Sequence, residues 1–191
     1  MELQGERFIP ASVETTWDAL NDPQVLKACI AGCESLERTG DDAFTALVAV
    51  KVGPVSARFK GNLKMTNVQA PNRYTINFDG QGGIAGFGKG SADVALSPEA
   101  PQRTKLAYAA RAQVGGKLAQ VGSRLIDAAA AKIAEDFFRA FEARLQALQA
   151  PAGATAARPA VAVARVPEPA GTLAWALSAI VVLVTVYFVL R

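Results

Sequence analysis

Apolar and polar positions alternate along most of the first 115 residues of this chain. The clearest stretch runs from Val55 to Met65, where Ala57, Phe59 and Leu63 are separated by polar or charged residues. The same pattern, or a short apolar run, occurs at 3–9, 34–39, 44–52, 73–79, 91–96 and 105–114. A period of two places successive side chains on opposite faces of a strand. The pattern therefore predicts an antiparallel sheet with one buried face.

Helical signals flank these strands. Ser12 is a candidate N-cap for a short helix, and Pro23 starts a second one that ends near Cys29. After Gly115 and Gly116, spacings of three and four predict one long helix over 117–149. Its apolar stripe consists of Leu118, Val121, Leu125, Ala129, Ile133, Phe137, Phe141, Leu145 and Leu148. A bent sheet covered by one long helix leaves a cavity between them, which predicts an α+β fold with a ligand-binding domain over 1–149.

The C-terminal part has a different composition. Residues 150–172 are rich in Ala and Pro and predict a flexible linker. Residues 173–190 carry no charge, and a helix of this length spans about 27 Å, close to the thickness of a bilayer core. A buried core helix is the alternative, but such helices rarely run this far without a polar face. We therefore predict a single-pass transmembrane anchor that begins at Leu173 and ends at Leu190. Trp175 and Tyr187 lie near its two ends, where aromatic rings prefer the headgroup zone.

The orientation of this anchor follows from the N-terminus, which has charges and no apolar run typical of a signal peptide. We expect the N-terminal domain on the cytoplasmic face of the inner (plasma) membrane. Its partner there is the lipid bilayer.

Composition argues against several function classes. The formal net charge is only +3, and a nucleic-acid binder normally has a strong basic excess. The chain has no histidine, which excludes Ser-His-Asp and Cys-His arrangements and weakens any metal site. The two cysteines, Cys29 and Cys33, are expected to be inert thiols. No nucleic acid, metal or catalytic residue is therefore predicted.

Two local motifs allow more than one interpretation. Gly83-x4-Gly88-Lys89 imitates a phosphate loop, but Gly90 stands where that motif needs Ser or Thr. The loop is either a plain bulge or a mobile gate over the cavity with Phe87 as its apolar plug. The basic positions on the outward face of the 44–68 hairpin are either solvated or face anionic lipid or an acidic partner; they are Lys51, Arg58, Lys60 and Lys64.

Three stretches carry a resemblance to a known family: 17–23 (WDALNDP), 29–36 (CIAGCESL) and 83–90 (GIAGFGKG). Together with the long terminal helix, they resemble the helix-grip domain of the START/Bet v 1-like (SRPBCC) superfamily. In that fold a curved antiparallel sheet wraps around a long C-terminal helix. Within the superfamily, residues 1–148 resemble the G subunit family of carbon monoxide dehydrogenase, which usually has Pro in place of Ala31.

The resemblance implies a role without catalysis. A member of this family would recruit a molybdenum hydroxylase, such as CO dehydrogenase, to the membrane. It would also bind a quinone (menaquinone or ubiquinone) and so link the enzyme to the respiratory chain. The alternatives are a cyclase or hydrolase of small apolar substrates, and a general lipid carrier without an enzyme partner.

The ligand site is expected on the inward faces of these elements, where small residues beside aromatic rings leave unfilled volume. We predict that the cavity is lined by Trp17, Phe44, Phe59, Met65, Tyr74, Phe78, Phe87, Tyr108, Leu125, Ile133 and Phe137. The predicted gate loop consists of Gly82, Gly83, Gly86, Gly88 and Gly90.

Overall fold

The computed structural model describes residues 1–149, so the predicted linker (150–172) and anchor (173–190) lie outside the described residues. The elements follow the predicted order of strand, two short helices, six strands and one long helix. They are β1 (Glu2–Ile9), α1 (Val13–Leu20), α2 (Pro23–Cys29), β2 (Cys33–Gly40), β3 (Ala43–Val52), β4 (Val55–Gln69), β5 (Arg73–Gln81), β6 (Phe87–Ala100), β7 (Arg103–Gly115) and α3 (Ser123–Gln149). Two 3-10 turns, Gly83–Ala85 and Gly116–Val121, connect the last strands and α3.

The seven strands form one antiparallel sheet in the order β1-β7-β6-β5-β4-β3-β2. Strands β2 to β7 follow one another through short connections. Strands β1 and β2 lie at opposite edges of the sheet, and α1 and α2 make the connection between them. This arrangement confirms the predicted antiparallel sheet.

Local capping explains where the two short helices begin. The Ser12 side chain accepts a hydrogen bond from the Thr15 backbone N–H at 3.2 Å. The Asp22 side chain accepts one from the Gln24 N–H at 2.8 Å, and Pro23 occupies the first position of α2. Each cap satisfies one free N–H group; the cap at Ser12 and the start at Pro23 were predicted, whereas the cap at Asp22 was not.

Helix α3 crosses the concave face of the sheet. Near its middle, Glu135 forms an ion pair with Arg7 of β1. At its N-terminus, Leu125 lies against the β3–β4 turn, 3.7 Å from where a side chain on Gly53 would begin. Strands β7, β6 and β5 separate these two contacts in the sheet. One helix therefore spans most of the width of the curved sheet.

The start of the long helix was predicted wrongly. The chain forms a 3-10 turn over Gly116–Val121, and α3 begins at Ser123 rather than at Lys117. Gly122 between them has a φ of +93°, which an α-helix cannot accommodate. The turn that carries Leu118 is therefore separate from α3.

The predicted stripe on α3 was right for Phe141 and Leu145 and wrong for Leu125, Ile133 and Leu148. The buried side chains are Phe138, Phe141 and Leu145, whereas Leu125, Ile133 and Leu148 are exposed. A helix turns about 100° per residue, so each step of four residues drifts by about 40°. Four such steps place Leu125 about 160° around the helix from Phe141.

Among the helices within residues 1–149, none combines the length and hydropathy needed to cross a bilayer.

Candidate functional site

Packing between α3 and the sheet is uneven along the helix. In its C-terminal half, Phe138, Phe141 and Leu145 belong to a core cluster with Ile9 and Leu106. In its N-terminal half, from 123 to 134, no side chain is buried. The domain thus has a packed end, where α1, α2 and the second half of α3 meet the sheet, and an unpacked end under the first half of α3.

The sheet under the unpacked end is lined by very small residues. Strand alternation and register place them on the same face as Leu96 and Leu106, which pack against α3. These floor residues are Ala57, Gly61, Gly80, Gly88, Gly90, Ala92, Ala110 and Ala112. Across from them, Ala130 and Ala134 of α3 fall on the same side of the helix as Phe141. All eight floor residues, Ala130 and Ala134 remain partly exposed, so the side chains of 1–149 do not pack this space closely.

Aromatic rings lie flat on glycines beside this floor. A Cβ on Gly90 would come within 2.9 Å of the Phe78 ring, and one on Gly82 within 2.6 Å of the Phe59 ring. Gly5 of β1 likewise lies under Tyr108, whose hydroxyl would be 2.6 Å from a Cβ there. These glycines let the rings rest on the sheet instead of standing into the space above it.

The structure divides the predicted lining residues between the two ends. Phe44, Met65 and Tyr74 are buried in a core cluster at the packed end. Trp17 meets Tyr74 edge-on with ring centroids 5.3 Å apart. Two further rings pack against core rings of α3: Tyr108 against Phe138 at 5.2 Å and Phe137 against Phe141 at 5.7 Å.

The other predicted lining residues, apart from Phe87, lie at the unpacked end. Phe59 and Phe78 are half-buried on the concave face, while Leu125 and Ile133 of α3 are 51% and 47% exposed. Leu125 lies near the β3–β4 turn, and Ile133 points about 80° away from it around the helix, between the directions of Leu125 and Phe141. The inward side chains of that hairpin, including Val48 and Val50, lie on the same concave face. We define the apolar cleft as the space between this hairpin, the floor and the first half of α3.

Phe87 is oriented differently from the prediction. It begins β6, and alternation along that strand places it on the face opposite to Gly88 and Gly90. Its ring covers Gly115, its partner across the strands, where a Cβ would overlap it. The expectation that Phe87 points inward as a plug is therefore wrong, because a strand residue next to an inward glycine must point outward.

The predicted gate is shorter than expected and is a structured turn. Gly88 and Gly90 belong to β6, so the loop consists of residues 82–86. The Gly82 N–H donates to the Gly86 carbonyl at 2.8 Å and closes the turn. Gly86, with a φ of +113°, packs backbone to backbone against Gly116. Whether this loop opens as a gate stays a prediction.

Two further openings were missed by sequence reasoning. The pairing of the N-terminal strand with β7 ends where Met1 exchanges backbone hydrogen bonds with Ala112. A cavity of about 480 Å³ lies beyond this point, beside Ala112, Val114 and Ile126. On the convex face, a groove of about 900 Å³ has Ala95 and Ala107 among its lining residues. Neither opening could be predicted from the sequence, because each is lined by residues of several strands whose relative positions are set only in the folded sheet.

Burial shifts the pKa of three side chains at the packed end and in its neighbourhood. Burial raises the pKa of both thiols, Cys29 and Cys33, which are free and do not form a disulfide. Burial also raises the pKa of the Tyr74 hydroxyl. Within residues 1–149, no group of three or more His, Cys, Asp or Glu side chains could hold a metal ion.

The charges predicted on the outer hairpin face are only partly paired. Arg58 donates to Glu34 at 2.6 Å. Lys51, Lys60 and Lys64 have no carboxylate within 4 Å among the described residues.

Comparison with solved structures shows the fold. A conserved protein from Geobacillus kaustophilus has 30% sequence identity and a TM-score of 0.72, over 77% of this chain and 96% of that one. A Streptomyces aromatase/cyclase has 13% identity and a TM-score of 0.60, over 80% and 98%. A START superfamily protein from Mycobacterium smegmatis has 17% identity and a TM-score of 0.58, over 77% and 98%. These likenesses confirm the START/Bet v 1-like fold.

Comparison with protein families gives a closer relationship. No curated protein matches the chain significantly. The carbon monoxide dehydrogenase G subunit (CoxG) family matches residues 5–146, which include all three stretches that carried the resemblance. Because this match spans nearly the whole described domain, the chain belongs to the CoxG family of carbon monoxide dehydrogenase subunits.

Proposed function

We propose that this protein binds a quinone in the apolar cleft and recruits a molybdenum hydroxylase, similar to CO dehydrogenase, to the cytoplasmic face of the inner membrane. The domain holds the quinone close to the enzyme, so that electrons from the hydroxylase reach the respiratory chain. Residues 173–190 anchor the complex in the bilayer. In this role the protein itself performs no catalysis.

One observation carries the ligand part of the proposal: the core is complete at one end of α3 and absent at the other. Ile133, which points between the directions of Phe141 and Leu125, remains about half exposed, although it would gain about 1–2 kcal/mol from full burial. The glycine and alanine of the floor cannot provide that burial. A bound apolar molecule can, because it contacts the floor and the helix together.

The chemistry of the cleft favours an apolar chain over a polar substrate. The inward side chains at the unpacked end of β3 to β6 are Gly, Ala, Val or aromatic, and none is charged. A narrow apolar slot suits the isoprenoid tail of a menaquinone or ubiquinone. The same lining offers no paired carboxylates or other acid-base groups, which a hydrolase or cyclase would need at its substrate.

The test of ligand binding is native mass spectrometry of the full chain extracted in mild detergent, with extraction and identification of the bound lipid. We expect a quinone at about one molecule per chain. Ala112→Leu fills the floor and should lower this occupancy severalfold. Ala109→Leu is the matched control, since it lies on the same strand but faces away, and should bind normally. Equal occupancy in both variants would contradict the cleft as the site.

The partner is tested separately, by capture of a purified molybdenum hydroxylase on the immobilised full chain. Binding of the enzyme together with a quinone supports the whole proposal. A bound quinone without enzyme binding would support the second candidate, a lipid carrier, because the apolar cleft alone fits either role. An empty cleft with enzyme binding would reduce the function to recruitment.

A further inference from the structure

Three connections meet at the unpacked end of the domain, and we call them the loop end. They are the β3–β4 turn, the β5–β6 loop (82–86) and the 3-10 turn that leads from β7 into α3. Contacts hold them together, because Gly86 packs on Gly116 and Leu125 lies against Gly53. The loop end therefore forms one surface beside the apolar cleft.

A large apolar side chain projects from this surface. Ile84, in the middle of the β5–β6 loop, is 86% exposed, while its neighbour Ala85 is buried. Among the exposed large apolar residues of 1–149, Ile84 is by a wide margin the most exposed. Leu125 adds a second partly exposed apolar side chain to the loop end. An isoleucine displayed in this way has no role in the core of the domain.

Cationic residues predominate in the segments that form and flank the loop end. The segments 51–60, 81–90 and 115–126 contain no Asp or Glu, and the nearest carboxylates along the chain are Asp79, the partner of Lys89 across the strands, and Asp127. These segments contain six cationic residues, namely Lys51, Arg58, Lys60, Lys89, Lys117 and Arg124. Of these, only Arg58 has a carboxylate within 4 Å among the described residues.

The opposite end of the domain has a different balance of charge. Its turns and short helices lie in the segments 12–27, 38–42, 71–73 and 98–103. These segments contain six acidic and four cationic residues, so acidic side chains are in excess there. These two sets of segments therefore carry net charges of opposite sign. A negatively charged surface would attract the loop end more than the other end.

We propose that the loop end is a membrane-docking surface, which inserts Ile84 into the interface of a bilayer rich in anionic lipid while the surrounding cations contact the headgroups. Exposed apolar side chains among dispersed cations match a fluid, anionic surface. This contact goes beyond the proposed function, because it requires neither a quinone nor an enzyme partner. It would also place the opening of the apolar cleft against the bilayer.

Hydrogen exchange of the full chain, mixed with vesicles of two compositions, tests this contact. One vesicle contains phosphatidylcholine alone and the other equal parts of phosphatidylcholine and phosphatidylglycerol. We expect amide exchange in 83–86 and 117–121 to slow severalfold with the anionic vesicles only. Residues 173–190 are uncharged, but Arg158, Arg165 and Arg191 also favour the anionic vesicles, so the contact is read only from the exchange of 83–86 and 117–121.

Two variants and one control sharpen the test. Ile84→Asp and Lys117→Glu should each abolish the protection. Val68→Asp should keep it, since Val68 is exposed but lies near the far end of β4. Equal exchange with both vesicles would overturn the proposal, and so would loss of protection in Val68→Asp. It would also be overturned if, in a parallel measurement, an acidic protein protected these segments and the anionic vesicles did not. Quinone occupancy, measured on the same variants, reports on the cleft independently of this outcome.

Discussion

A Cβ built on Gly116 would lie 2.5 Å from the Cα of Gly86, so the backbone of the β5–β6 loop rests directly on the backbone of the turn after β7. This contact joins two connections that are 30 residues apart in the sequence. This contact holds the loop end together. Its contribution to the free energy of unfolding can be measured by substituting Gly116.

Gly116→Ala should destabilise the domain by about 3 kcal/mol, because a methyl group there collides with backbone and the residue has a positive φ. Gly83→Ala is the control: its φ is also positive, but a Cβ there meets nothing within 4 Å. It should cost only about 1 kcal/mol. Urea unfolding of the full chain compares the two, and equal losses would show that the contact contributes nothing.

Two fully buried threonines should respond oppositely to removal of the hydroxyl. The Thr16 hydroxyl has no hydrogen-bond partner in the described residues, so Thr16→Val should be neutral or stabilise by up to about 1 kcal/mol. The Thr104 hydroxyl donates to the Ala11 carbonyl at 2.8 Å, and Thr104→Val should cost about 1–2 kcal/mol. Thermal melting of both variants measures these changes in stability. A clear loss of stability in Thr16→Val would reveal an unrecognised hydrogen-bond partner for that hydroxyl.

The two halves of α3 should differ in their contribution to stability. Phe141 is 0% exposed, and Phe141→Ala should cost about 3–5 kcal/mol. Leu125→Ala should cost about 1 kcal/mol or less in the unliganded protein, because half of its surface is already exposed. The measurement is urea unfolding after removal of bound lipid. A large loss in Leu125→Ala would mean that the unpacked end is more tightly packed than the exposures indicate.

Substitutions of two phenylalanines near the β5–β6 loop should show whether the ligand site lies on the inward or the outward face of the sheet. Phe59 is on the concave face and packs on Gly82, so Phe59→Ala should lower quinone occupancy severalfold. Phe87 covers Gly115 on the opposite face, and Phe87→Ala should leave occupancy nearly unchanged. Native mass spectrometry measures both. The reverse result would move the ligand site out of the cleft.

Much of the fold could be predicted because its signals are local. The alternation from Val55 to Met65 requires only that one face of β4 is buried, and the caps at Ser12 and Asp22 bond to N–H groups two or three residues away. The start of α3 could not be predicted in this way. Apolar spacing continued through Gly122, whose positive φ interrupts the helix.

The candidate site was predicted less completely, because its members come from distant parts of the chain. Strand alternation alone places Gly90, Ala92 and Ala112 on one face of the sheet, as the register shows. It could not show that Tyr74 belongs to the packed end and Phe78 to the unpacked one. That division depends on where α3 stops contacting the sheet.

The sequence by itself determined the order of elements, the buried face of each strand and the family, because these depend on residue type at fixed spacing. Only the tertiary structure decided which rings rest on glycines, that Phe87 faces outward and that Ile84 projects beside unpaired cations. Those features arise from pairs such as Gly5 with Tyr108 and Gly86 with Gly116. Such pairs are brought together by sheet register and curvature, which the packing of the whole domain sets and no local segment encodes.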